Sequence, residues 1–381
     1  MSDWSVKLHE GIHAIPAEIW DGCAGADNPF ISHAFLSALE DSKSVCPDAG
    51  WMPRHIALHA PDGTLAGLCP AYFKMHSWGE YVFDQRWAQA FEAAGGHYYP
   101  KLLSAVPFSP VTGPRLLIHP DAPAETSVIM TDAIRQICES LEFSSAHITF
   151  CTGEESNITT GRDWLPRLGV QYHWHNNGYK SFDDFLAALS SRKRKTIKRE
   201  RRDATADLTF HVLRGTDITE ADWADFYRFY ENTIDRKWSS AYLTPEFFTL
   251  LSQRLGERVV LMQARSGTRT VAAALNLMGT DTLYGRNWGC EGEWPFLHFE
   301  LCYYQAIDFA IAHGLKRVEA GAQGEHKIQR GYQPVLTHSA HWLCNSSFGN
   351  SVSTFLEHER AAIKERIAEL NTLSPYRSDE S

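Results

Sequence analysis

Apolar residues recur at helical spacing in several stretches, and short apolar runs bounded by turn residues lie between them. Phe35, Leu36 and Leu39 mark one amphipathic helix; Phe247, Phe248, Leu251 and Leu255 mark another. After each come two apolar runs joined by a tight turn. The first pair lies in RHIALHAPDGTLAGLCPAYFK (54–74), the second in RVVLMQARSGTRTVAAALNLMG (258–279). In both, a glycine follows the leading Arg by nine residues (Gly63, Gly267), which predicts two β-hairpins. A long helix is predicted next in each half, at 125–141 and 296–313. A strand follows, at 147–155 and 317–325. Each half then closes on a strand with a His-Trp pair, His173-Trp174 and His341-Trp342. This shared order predicts a duplicated α/β domain with mixed sheets.

The boundaries that follow are a first domain over 1–176, with an insert at 76–114, and a second over 177–351. The segment 352–381 reads as a terminal amphipathic helix, TFLEHERAAIKERIAEL, and a tail. The proline-rich end of the insert, YYPKLLSAVPFSPVTGPR, is expected to be extended or looped. The 381 residues, 44% hydrophobic and 12% aromatic, are enough for two packed cores. No run of about 18 apolar residues occurs, so no membrane span is expected. The opening MSDWSVKLHE lacks the order of a secretory signal, and the eight cysteines form no CxxC pair. These features predict a cytoplasmic protein with reduced thiols.

Charge changes the picture at one place. The net charge is -10, yet SSRKRKTIKRERR (190–202) holds eight basic residues and one acid, Glu200. Ser181 is placed to cap a helix whose apolar positions Phe182, Phe185, Leu186, Leu189 and Ile197 carry on into the run. One helix from Phe182 through the run is therefore expected. It would set Arg192, Lys195, Arg199 and Arg202 on one face and Arg194, Lys198 and Arg201 on the next. Like charges at i,i+4 repel by a few tenths of a kcal/mol per pair, so an anionic partner is implied, or pairing with the acidic remainder of the chain. A focused basic site in an acidic body fits a specific anionic ligand better than a general nucleic-acid coat.

The chain has no GxSxG elbow, HExxH, Walker loop or GxGxxG. His173 and His175 alternate on a strand without a ligand cluster, so no metal is expected. The densest polar segment is EAGAQGEHKIQRGYQP (319–334). It offers Glu325, His326, Lys327 and Arg330 between glycines, with Tyr332 just beyond, and suits proton transfer or oxyanion binding; the alternative is a polar connecting loop. Upstream, Arg286, Asn287 and Trp288 sit where a strand would end, and Tyr303 and Tyr304 sit in the helix after it. These residues either bind a ligand at the sheet edge or pack. Glu300 on that helix either orients a base or pairs with a cation. Arg236, Lys237 and Trp238 offer cations and a stacking surface. Tyr98, Tyr99 and Lys101, in the insert, either line an acceptor cleft or pack.

Four segments together carry a family resemblance: YVFDQRWAQAFEAAGGHYYPKLLSAVPFSPVTGPRLL, SRKRKTIKRERR, LYGRNWGCEGEWPFLHFELCYYQAIDFAIAHG and EAGAQGEHKIQRGYQPVLTHSAHW. The chain resembles the FemAB-like N-acyltransferases of bacteria, in the GNAT superfamily, over nearly its whole length. The related Fem-type enzymes carry two GNAT-like domains and move an amino acid from aminoacyl-tRNA to an amine of a peptidoglycan precursor. The resemblance implies tandem GNAT-like domains, an acyl-CoA or aminoacyl-tRNA donor, a small-molecule or peptide amine acceptor, and no metal. The basic segment of those enzymes is similar to Arg194–Arg202, and their closing glycine loop to Glu319–Tyr332. Where they tend to have an aromatic residue and a lysine, this chain has Ile328-Gln329-Arg330, so only Lys327 or Arg330 stands where a catalytic lysine would. The GNAT pyrophosphate loop before the long helix is missing; Arg286-Asn-Trp-Gly289 is at most a remnant. The reading is an N-acyl or aminoacyl transferase with Glu325 or His326 as base, and Lys327 and Arg330 on the anion. Arg192, Arg194, Lys195, Lys198 and Arg199 would hold donor phosphates. The rival is a non-catalytic GNAT-like protein that recognises a cell-wall precursor or RNA.

Overall fold

The computed structural model describes residues 4–235, 241–321 and 324–377. Two compact units are present: Met1–Gly169 with Leu336–Glu365, and Val170–Val335 with Arg366–Ser381. The strands in chain order are β1 (Ser5–His9), β2 (Trp51–Pro53), β3 (His55–His59), β4 (Leu65–Cys69), β5 (Ala71–Lys74), β6 (Lys101–Ser104), β7 (Leu117–Ile118) and β8 (Ser145–Cys151). They continue with β9 (Leu165–His175), β10 (Thr209–Arg214), β11 (Val259–Ser266), β12 (Arg269–Met278), β13 (Thr282–Cys290), β14 (Arg317–Glu319) and β15 (Gln333–Leu343).

In the first unit, β1-β3-β4-β7 form one sheet, and the end of β15 continues through β8, β6, β5 and β2 in another. Pro70, which cannot donate to a ladder, separates β4 from β5 and lets one run of chain serve both sheets. In the second unit the order is β10-β11-β12-β13-β14-β9. The hairpins β3–β4 and β11–β12 correspond, as do the parallel pairs β6–β8 and β13–β14. The duplication read from the sequence is thus visible in strand order.

The closing strands differ from expectation. β9 carries His173-Trp174 and pairs with β14 in the second unit; β15 carries His341-Trp342 and pairs with β8 in the first. Each half of the sequence therefore supplies the closing strand of the other unit. For that reason the division falls at 169/170 where 176 was expected. Residues 336–365 belong to the first unit, where Leu343, Val352 and Leu356 join Trp87 and Tyr98 in an apolar cluster. The expected strand at 317–325 stops at Glu319. The insert holds a helix, Gln85–Ala93, as well as β6 and extended chain.

The basic run does not continue the helix begun at Phe182. That helix ends at Ala188, and a second spans Ser191–Thr205. Leu189 and Ser190 are extended because they bond elsewhere: the Ser190 N–H donates to Pro375 O at 2.9 Å, and the Leu189 carbonyl accepts from Arg377 Nε at 3.2 Å. Ser181 caps the first of the two helices as expected, its hydroxyl accepting from Asp184 N. Ile197 seats the basic helix on a core that includes Trp174, Phe185, Leu301 and Tyr304.

Candidate active site

The parallel pairing of β13 and β14 lasts three residues and ends at Tyr284 opposite Glu319. Beyond that point β13 runs on alone on this side, with Arg286, Asn287 and Trp288 half-buried along it. Two glycines set this geometry. A Cβ on Gly285 would lie 3.3 Å from Glu319 O, and one on Gly289 would lie 2.1 Å from Phe229 O. Only hydrogen at position 289 lets the helix Glu220–Asp235 lie against β13.

The chain then forms a tight turn, Glu325–Arg330, bracketed by left-handed glycines, Gly324 (φ 115°) and Gly331 (φ 91°). Lys327 is 2% exposed; its Nζ donates to Gly321 O at 3.1 Å. Burial pulls its ammonium down to about 8. His326 is exposed, and its Nε2 lies 2.9 Å from the Tyr303 hydroxyl. Partial burial, then the nearby Arg330 and Lys327 charges, lower its pKa and favour the neutral ring. Glu325 is turned outward, paired with Arg366 at 2.5 Å. Arg330 is not open to an anion as expected. Its Nη2 donates to Glu200 at 2.9 Å, its Nη1 donates to His326 O at 2.8 Å, and the guanidinium lies 3.4 Å over the Phe299 ring. Tyr332 is fully buried against Tyr303, and its hydroxyl has no hydrogen-bond partner among the described residues. The Trp288 ring lies 4.5 Å from His298, which in turn neighbours Tyr303 and His326.

The basic helix is bound to this turn from beneath. Glu200 is buried and accepts from both Arg330 and the Tyr304 hydroxyl. Lys193 donates to Gln329. Arg201 forks onto the fully buried Glu300 at 2.9 and 3.1 Å and reaches Asp308 at 2.8 Å. Glu300 is therefore a pairing residue. Arg194 is half-buried, whereas Arg192, Lys195, Lys198 and Arg199 face solvent. Lys198 makes a loose contact, 3.5 Å, with exposed Asp183.

Tyr98, Tyr99 and Lys101 lie in the first unit. Tyr98 and Lys101 are buried and bonded internally, the Tyr98 hydroxyl and Lys101 Nζ both reaching Asp84 Oδ2. Tyr99 is half-buried and bonded to Ser77. Arg236, Lys237 and Trp238 lie outside the described residues. Sequence reasoning passed over Glu319. It is 4% exposed, with Arg317 Nε at 3.2 Å and His173 Nδ1 at 3.8 Å, and burial raises it to about 7. The sequence signal was there, since an acid ends a strand at the start of the polar segment.

Taken together, the two repeated units, the parallel strands that part and the polar turn beside them make a tandem mixed-sheet α/β fold with a polar candidate site in its second unit. The profile of the FemAB-like family, described as peptidoglycan biosynthesis/recognition, matches residues 11–378, and the chain belongs to that family. That description ties the family to cell-wall biosynthesis or recognition. Among solved structures, FemX aligns at 10% identity over 92% of this chain and 100% of its own, with a TM-score of 0.53, a likeness of fold. L-PGS of Bacillus licheniformis aligns at 10% identity, 87% and 98% coverage and a TM-score of 0.49. A tandem GNAT protein of the clavulanic acid pathway aligns at 8% identity, 90% and 99% coverage and a TM-score of 0.49. No curated protein matches the sequence.

Proposed function

We propose that the turn 324–331 and the basic helix carry transfer of an aminoacyl group from aminoacyl-tRNA to an amine of a peptidoglycan precursor. One observation carries this reading: His326 and buried Lys327 stand on a turn that Arg330 and Glu200 tie to a helix with a row of solvent-facing cations. From Arg192 to Arg199 that row runs about 10 Å along the axis. Such a row suits successive phosphates of a polynucleotide better than one pyrophosphate. The absent glycine-rich pyrophosphate loop before the long helix argues the same way.

In this scheme the acceptor amine attacks the ester carbonyl. A C–N bond forms and the C–O bond to the terminal ribose breaks. Neutral His326 accepts the amine proton and returns it to the leaving ribose oxygen. Lys327, protonated below about 8, supplies an N–H to the oxyanion. Glu325, committed to Arg366, is not the base. Arg330 positions the turn and does not touch the anion.

The test is single-turnover transfer of labelled amino acids from charged tRNA to a nucleotide-linked peptidoglycan peptide. Transfer supports the proposal. Transfer from acyl-CoA alone would replace the donor. Saturable binding of the precursor, with no transfer from either donor, would leave a recognition protein.

A further inference from the structure

The segment KMHSWGEYVFD (74–84) of the first unit is inside out. Its polar side chains point inward: Lys74, Ser77, Glu80 and Asp84 are buried. Lys101 gathers three of them, with Nζ 2.7 Å from Ser77 Oγ, 2.8 Å from Glu80 Oε2 and 2.5 Å from Asp84 Oδ2. Lys74 lies 3.7 Å over the Trp51 ring and donates to Trp78 O at 3.4 Å. Met75, Trp78, Tyr81 and Phe83 point outward, exposed by 51, 63, 38 and 61%. Among the described residues, four of the eleven exposed large apolar side chains thus fall within nine residues. The display is rigid. Gly79, at φ 80°, lets the backbone press on Phe108, whose ring a Cβ would meet at 2.6 Å. Tyr81 itself is left-handed at φ 60°.

Burying four charged or polar groups and exposing four apolar ones is the costly arrangement in water, so the segment is built for an apolar neighbour. We propose that this loop docks the protein on a lipid bilayer, with Trp78 and Phe83 seated at the boundary of headgroups and acyl chains. Three observations select a bilayer. At those exposures the four side chains offer about 500 Å², below the roughly 800 Å² per partner of a stable protein interface. Trp78, Tyr81 and Phe83, all exposed within six residues, suit the amphipathic interface of a membrane. Both acids of the segment are turned inward, and the exposed charge beside it is Arg86, so no outward acid in the segment opposes approach to headgroups. The contact is peripheral, since among the described residues no helix is long and apolar enough to cross a membrane. With a net charge of -10, attachment must come from insertion, not from attraction to anionic lipid. This proposal does not depend on the donor assignment above.

The test is co-sedimentation of the full chain with vesicles of phosphatidylethanolamine and phosphatidylglycerol (3:1), with and without 0.5 M salt. Salt-insensitive binding is expected, lowered at least tenfold in Trp78→Ser/Phe83→Ser and kept in Trp78→Phe. The double variant changes only exposed positions and should keep the wild-type melting temperature. Absence of wild-type binding, or equal binding by a folded double variant, would overturn the proposal. So would a concentration-dependent dimer in size-exclusion chromatography that the double variant abolishes, because the patch would then serve a second copy.

Discussion

Glu200 and Arg330, 130 positions apart, meet at 2.9 Å with both side chains over 90% buried. Glu200 is the one acid of the basic run, and this contact explains its place there. It joins the helix of cations to the turn of His326 and Lys327. Removing one partner of a buried pair leaves an uncompensated charge and costs about 3–5 kcal/mol. Glu200→Ala is therefore expected to lose about that much stability in urea unfolding, and Glu200→Met/Arg330→Met to recover most of it. A loss below about 1 kcal/mol in the single variant would mean that the pair does not anchor the turn.

Lys327 separates a chemical role from a structural one. Its folded pKa, about 8, lies below the ordinary 10.5, so burial of the ammonium works against folding. The cost is present in full below pH 8, shrinks as pH rises from 8 towards 10.5, and is gone above that. Lys327→Met is expected to keep or raise the melting temperature at pH 7 while lowering turnover at least a hundredfold. A variant that keeps its turnover would remove Lys327 from the reaction.

The same two residues fix a pH profile. His326, its pKa lowered from 6.5, must be neutral to accept a proton, so activity rises as pH passes a value below 6.5. Lys327 must be charged, so activity falls near pH 8. A bell-shaped kcat/KM is expected, with the acidic limb lost in His326→Ala and the alkaline limb moved upward in Lys327→Arg. A flat profile between pH 5 and 9 in the wild type would contradict both roles.

The hairpins, the long helices and the repeated order of elements were legible because each is set by local periodicity and turn glycines. The exchange of closing strands was not. His173-Trp174 and His341-Trp342 read alike along the sequence, and nothing local says whether a strand pairs with β8 or β14. The break at Leu189–Ser190 was hidden for a similar reason: its cause is Pro375 and Arg377, nearly two hundred residues away. At the site, the polar turn was found by composition. Composition could not show that Arg330 and Glu325 are spent on Glu200 and Arg366, whereas His326 and Lys327 have no such ion pair among the described residues. Residues 76–84 read as part of an insert because the inversion of the segment appears only once Lys101 stands behind it.

The cations of the basic helix divide by orientation, and this yields the last prediction. Arg201 is occupied with Glu300 and Asp308, and Lys193 with Gln329, so neither is available to a ligand. Lys195 and Arg199 are four apart on the solvent face. If that face follows a tRNA backbone, each cation displaces counterions, and log K falls with log salt by about 0.7–0.9 per contact. Lys195→Ala/Arg199→Ala is expected to weaken tRNA binding and to flatten that slope by roughly 1.5, leaving the melting temperature unchanged because both side chains are exposed. Arg201→Ala should behave oppositely, destabilising the protein through unpaired Glu300 before it touches the salt slope. Binding isotherms from 50 to 300 mM salt separate the two. An unchanged slope in the double variant would take the tRNA off this helix and return the donor site to the half-buried residues 286–288 of β13.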